Sequence, residues 1–227
     1  VAPKTRNERR NVVRMFLKWS VRQDFLNRDH RLFEADGMIR ETADPDDIEF
    51  YSPKELGLLL ENGGEKLRPI LALTALAGVR LQEAMRLTWE EVFRVPGHVE
   101  ISGGKSKTRQ RRLVTICQSL EQWLAPYRVR TGPLWSQHRD TYHELFTELR
   151  KRLKIPARRN GLRHGFVSYH FAFFSNENLT AAEAGNSPSV IHKNYKALAT
   201  KAEAERWFSV KPEGAVNVIP MASRGTL

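Results

Sequence analysis

The chain has 227 residues, with 37 Lys and Arg against 26 Asp and Glu and a formal net charge of +11. That surplus favours a polyanionic partner, nucleic acid first and an anionic membrane surface second. A hydrophobic fraction of 41% excludes a disordered basic tail. No apolar run reaches the roughly 18 residues that a spanning helix needs. The single cysteine, Cys117, excludes an internal disulfide and a cysteine-rich zinc site and fits a reducing cytoplasm.

Apolar residues at helical spacing predict a first helix from Asn7 to Asn27, through Val12, Val13, Phe16, Leu17, Val21, Phe25 and Leu26. The polar, mixed stretch that follows reads as a linker over residues 31–51. SPKE then supplies an N-cap (Ser52), a first-turn proline (Pro53) and a capping-box partner (Glu55). Further helices are expected over Lys66–Ala77 and Leu81–Leu87. The texture changes at EVFRV, HVEIS and RLVTI, short alternating segments separated by Pro96-Gly97 and Gly103-Gly104. They predict a small three-stranded antiparallel sheet. Helices are expected again near Leu120, over Asp140–Leu153, Leu162–Phe174, Ala181–Glu183 and Ser189–Lys196, before a tail over residues 209–227. The fold class is therefore mainly α with a small sheet on one edge (α+β).

Two acid-free basic runs stand out, KSKTRQRR in the hairpin and RKRLKIPARRNGLRH leading into an apolar helix. Their Lys105, Arg109, Arg111, Arg112, Arg158 and Arg159 are candidate DNA contacts, although charge runs are usually just solvated faces. Arg80 follows Gly78 at the junction of two apolar helices and needs an anion there. Glu83, three residues on, is the internal candidate; a phosphate gripped by the forked guanidinium is the external one. Arg163 and His164 open an apolar helix near its electropositive end, which favours the same ligand. Lys107, between the second and third expected strands, can reach it from a hairpin tip. Tyr195 lies in a helix capped by Ser187 and opened by Pro188. Its phenol, with a pKa of about 10, is a poor nucleophile unless cations stabilise the phenolate. Arginines would then supply the charge that metal ions often bring to phosphoryl transfer. The histidine spacings match no common metal site.

The ordered set AGVRLQEAMRLTWEEV, KSKTRQRRLVTI, NGLRHGF and AGNSPSVIHKNY resembles the tyrosine recombinases, or phage integrases, over about residues 52–208. The resemblance places Arg80 and Glu83 in the first motif and Lys107, counted back from RLVTI, at the hairpin lysine. It places Arg163 and its companion His164 in the third motif, and Tyr195 nine residues after Asn186 in the last. It implies that Tyr195 attacks a phosphodiester of double-stranded DNA, forms a 3′-phosphotyrosine and frees a 5′-hydroxyl. Arg80 and Arg163 would stabilise the phosphorane and Lys107 would protonate the leaving oxygen, with no metal, cofactor or ATP. The product would be site-specific recombination by a monomer that forms a homotetramer in synapsis, in a prokaryotic or phage-derived cytoplasmic setting.

The chain departs from the family pattern at two positions. Asn160 stands where most members have His, and Asn186 where most have His or Trp. An amide bonds a phosphate oxygen but moves no proton near neutral pH, and losing a general base costs about 10²–10⁴ in rate. The alternative is therefore a weakened or inactive DNA-binding module of the same fold, and both asparagines can also be read as helix caps. Residues 1–30 resemble only the last helix of the core-binding domain that usually precedes the catalytic one.

Overall fold

The computed structural model describes residues 3–27, 41, 48–104 and 111–214. The chain divides into two compact units, residues 1–47 and 48–227.

In the first unit, α1 (Pro3–Arg22) opens at a proline, whose missing N–H costs little in a first turn. It begins earlier than the apolar spacing predicts, and it ends earlier because the chain turns after Arg22, where Asp24 takes a φ of 57°. Leu17 and Ser20 are buried, whereas Val12, Val13, Phe16 and Trp19 stay exposed. Arg6 forms an ion pair of 2.5 Å with Glu41, and Asn7 Nδ2 donates to the Glu41 carbonyl at 2.8 Å.

The second unit is built around a buried helix. α2 (Pro53–Asn62) carries the expected capping box, with Ser52 N donating to Glu55 Oε2 at 2.8 Å. α3 (Gly64–Leu76) is buried at every residue from Pro69 to Leu76, as befits a helix apolar all round. α4 (Leu81–Ala84) is a single turn. The expected first strand over residues 91–95 is not one: Trp89–Phe93 form α5. Thr88 and Glu91 close a capping box there, and those two bonds outweigh the weak strand preference of Val92 and Phe93.

Among the described residues the sheet thus has two strands, β1 (His98–Ile101) and β2 (Arg112–Thr115), antiparallel with Val99 opposite Val114. A single bridge, Val95 to His98, is the trace of the third. Then follow α6 (Gln118–Leu124), a 3₁₀ turn (Ala125–Tyr127), α7 (Arg139–Arg152) and α8 (Gly161–Phe174). α9 (Glu177–Ala184) is longer than expected, because Asn176 caps it by accepting from Leu179 N at 2.9 Å. α10 (Pro188–Tyr195) matches its expected span closely.

A last helix, α11 (Lys201–Phe208), was not anticipated. Its capping box, Thr200 with Glu203, is present in the sequence. It plants Trp207, fully buried, with Nε1 donating to the Ala75 carbonyl at 2.9 Å. Gly165 of α8 allows this contact, since a Cβ there would lie 2.7 Å from the indole. The chain stays packed to Val210, whose carbonyl accepts from Trp123 Nε1 at 2.9 Å.

A smaller apolar cluster joins α8, α9 and α10: Phe166, Val167, Ala181, Ala184, Ile191 and Tyr195. It fixes the helix that ends in Tyr195 against the helix that begins beside Arg163.

Candidate active site

The site is assembled where α3, α4, α8, α9 and β2 meet. Gly78 turns the chain between α3 and α4 with a φ of 59°, and a Cβ there would collide with Phe166 at 2.2 Å. The tight turn delivers Arg80 to the N-terminus of α4. Glu83, 1% exposed, accepts from Arg80 N at 3.1 Å and Arg80 Nη1 at 2.9 Å. It also accepts from Arg112 Nη1 at 3.2 Å and Nη2 at 2.6 Å. Burial alone would raise the Glu83 pKa. The bonds and charge of Arg112, then of Arg80, overcome that and hold it below the usual carboxylate value.

Arg163 enters from the first turn of α8. Its guanidinium donates to the carbonyl of Gly78, to the carbonyl of Ala184 at 2.6 Å and to Asn186 Oδ1 at 2.8 Å. Arg80 Nη2 donates to the carbonyl of Gly185 and to the same Asn186 oxygen at 3.3 Å. One amide oxygen thus lies between two guanidinium groups. Burial, then the neighbouring Arg80, pushes the Arg163 pKa down to about 9, which leaves it cationic at neutral pH.

Gly185 ends α9 with a φ of 65°, and a Cβ there would lie 3.1 Å from the guanidinium groups of both Arg80 and Arg112. Among the described residues Arg112 Nε is buried without a hydrogen-bond partner. Arg112, a candidate DNA contact in the sequence, is therefore a third member of the half-buried cationic cluster.

Tyr195 ends α10 and is 6% exposed, its ring in the small apolar cluster. Its hydroxyl and Nδ1 of His164 are 2.7 Å apart. Burial raises the phenol pKa against the opposing charge of Arg163, and burial, then Arg163 and Arg159, lowers that of His164. His164 faces an open groove of about 840 Å³. Arg80, Arg86, Arg139, Arg150, Arg158, Arg159 and Arg163 also line this groove; Tyr195 does not, and sits immediately against His164.

The structure brings Arg80, Glu83, Arg163, His164, Asn186 and Tyr195 together. Asn160 also lines the groove, but it is exposed, holds a φ of 54° and makes no side-chain cap bond. Nor does the Asn186 amide cap a helix: it bridges arginines. Arg158 pairs with Glu55 at 2.8 Å and covers the Tyr51 ring at 4.9 Å, and Arg111 pairs with Glu100 at 2.9 Å. Arg159 is exposed in the groove. Lys105, Lys107 and Arg109 lie outside the described residues. Among the described residues no cluster of three or more His, Cys, Asp or Glu suits a metal ion, and no helix is long and apolar enough to cross a membrane.

Sequence reasoning missed the carbonyls of Gly78, Ala184 and Gly185, since main-chain acceptors carry no residue signature. It also missed Glu183, which accepts from Thr115 N at 2.9 Å and Thr115 Oγ1 at 2.6 Å and ties β2 to α9.

No family model matches the chain, and no curated protein sequence matches it. Solved structures do. The catalytic domain of bacteriophage HP1 integrase is 22% identical with a TM-score of 0.50, over 79% of this chain and all of that one. The Tn1549 transposon integrase, solved with circular intermediate DNA, is 17% identical with a TM-score of 0.66, over 90% and 78% of the two chains. XerA recombinase is 18% identical with a TM-score of 0.57, over 78% and 68%. The chain has the tyrosine recombinase catalytic-domain fold.

Proposed function

We propose that this protein breaks and rejoins DNA strands at specific sites through Tyr195. The carrying observation is the convergence of Arg80 and Arg163 on one oxygen, Asn186 Oδ1, beside the His164–Tyr195 pair. That oxygen occupies the place a non-bridging phosphate oxygen would take between two forked donors. Two solved structures of the same fold support DNA as the partner: Tn1549 integrase holds a circular intermediate, and XerH recombinase holds its difH substrate.

The phosphodiester enters the arginine-lined groove and exchanges for the internal acceptors of Arg80 and Arg163. A short displacement at the end of α10 brings the phenol oxygen past His164 to phosphorus. The oxygen attacks, a pentacoordinate phosphorane forms, and the 5′-oxygen leaves with a proton from Lys107. The 3′-phosphotyrosine conserves the bond energy, so a second 5′-hydroxyl reverses the step without ATP. Each lost guanidinium contact to the transition state costs about 10²–10³ in rate. Glu83 and Arg112 hold Arg80 in place, and Arg158, Arg159 and Asn160 line the duplex path with Lys105, Arg109 and Arg111 from the hairpin. Four protomers on two duplexes complete the exchange.

The second reading, a DNA-binding module, is favoured by one observation: the amides of Asn160 and Asn186 carry no proton between groups. A target duplex selected from a randomised pool, nicked beside the scissile phosphate to trap the intermediate, separates the two. An adduct stable to denaturation that Tyr195→Phe abolishes supports the enzyme; tight binding without an adduct supports the module.

A further inference from the structure

Among the described residues the phenol of Tyr195 has one polar contact, Nδ1 of His164 at 2.7 Å. The two rings lie 5.8 Å apart between centroids, tilted by 31°. They belong to helices that pack on each other, α8 and α10, and His164 alone of the pair reaches the groove. Asn160, one turn earlier, lies exposed at the groove wall with an amide that takes no proton.

We propose that His164 is the proton acceptor that ionises Tyr195 during strand cleavage, a role moved one helical turn from position 160. The proposal rests on the enzyme reading above. His164 acts as the neutral imidazole, its ring proton on Nε2 and its Nδ1 lone pair aimed at the phenol. In the step, the Tyr195 O–H bond breaks as Nδ1–H forms. The phenolate oxygen bonds to phosphorus as the P–O5′ bond breaks, and the 5′-oxygen takes its proton from Lys107. On rejoining, the imidazolium returns its proton to the departing phenolate.

The electrostatics agree. Burial, then Arg163 on the same helix and Arg159 before it, lowers the His164 pKa from its ordinary value and so favours the neutral ring with its free lone pair. Those arginines and Tyr195 from α10 are the charged or titratable groups bearing on it among the described residues. Burial meanwhile raises the phenol pKa, so unaided ionisation is rarer than in water.

The test is single-turnover adduct formation on the selected nicked duplex, from pH 6 to 10, with wild type and His164→Asn. Asparagine keeps an acceptor oxygen near the place of Nδ1 but takes no proton. The variant should lose about 10²–10⁴ in rate at pH 7. Its rate should climb about tenfold per pH unit where the wild type is flat. Replacing Tyr195 with 3,5-difluorotyrosine should restore the variant. A 5′-bridging phosphorothiolate, whose thiolate leaves without an acid, should not restore it but should restore Lys107→Ala. A variant with the wild-type rate and profile, in a protein whose wild type forms the adduct, overturns the assignment alone. No adduct from the wild type overturns the enzyme reading and the assignment with it. Nitrogen-15 NMR of the free protein adds a check that needs no DNA: a proton on Nδ1 rather than Nε2 overturns the assignment.

Discussion

Asn186 Oδ1 lies 2.8 Å from Nη2 of Arg163 and 3.3 Å from Nη2 of Arg80, so an uncharged amide fills the focus of two cationic forks. The focus is thereby filled without adding a second carboxylate to that of Glu83. An aspartate at this position would be a better partner for the arginines and a worse one for DNA.

Asn186→Asp should therefore raise the folding stability by on the order of 1 kcal/mol, because hydrogen bonds to a charged acceptor are stronger than those to a neutral one. It should weaken binding to the selected duplex by about tenfold or more, since the added carboxylate opposes the phosphate. Thermal melts and filter binding check the pair of effects. A variant that is less stable and binds as well as the wild type contradicts the arrangement.

Buried Glu83 holds two half-buried arginines at once, through four side-chain and backbone donors. Glu83→Gln leaves their charge uncompensated. Urea unfolding should show a loss of about 3–5 kcal/mol. A change close to zero would mean that Arg80 and Arg112 find other partners.

Gly185→Ala combines a left-handed backbone with a Cβ only 3.1 Å from two guanidinium groups. The variant should lose about 1–2 kcal/mol of stability. Adduct formation should fall further than stability does, since the displaced groups are Arg80 and Arg112. Equal adduct yields from variant and wild type would show that the arginines give way freely.

His170 is buried against Phe166, Phe174 and Phe208, with Nδ1 2.8 Å from Thr180 Oγ1, and burial pushes its pKa down to about 4. Below pH 6.5 the unfolded chain takes up a proton that the folded one refuses. Stability should therefore fall with pH by about 1.4 kcal/mol per unit down to roughly pH 4 from this group. His170→Gln should flatten that part of the profile. An unchanged slope would remove His170 as its source.

The helical framework was legible wherever a cap and an apolar period coincided, as at Ser52–Glu55 and along α3. Thr88–Glu91 and Thr200–Glu203 show the cost of weighing side-chain texture above caps. The first capping box turned an expected strand into α5; the second built α11 and carried Trp207 into the core. The ordered motifs named Glu83, His164, Asn186 and Tyr195, which lie together with Arg80 and Arg163. They did not announce Arg112, whose basic neighbours disguised its contact with Glu83, nor the Gly185 turn that crowds it. Those depend on where β2 and α9 meet, a relationship written in no single stretch of chain.

The most direct measurement is covalent trapping on the selected nicked duplex, with mass spectrometry of the peptide that retains DNA. A 3′-phosphotyrosine on Tyr195 is expected, absent in Tyr195→Phe and reduced about 10²–10³-fold in Arg163→Ala. DNA attached to another residue, or tight binding by the wild type with no attachment at all, contradicts it.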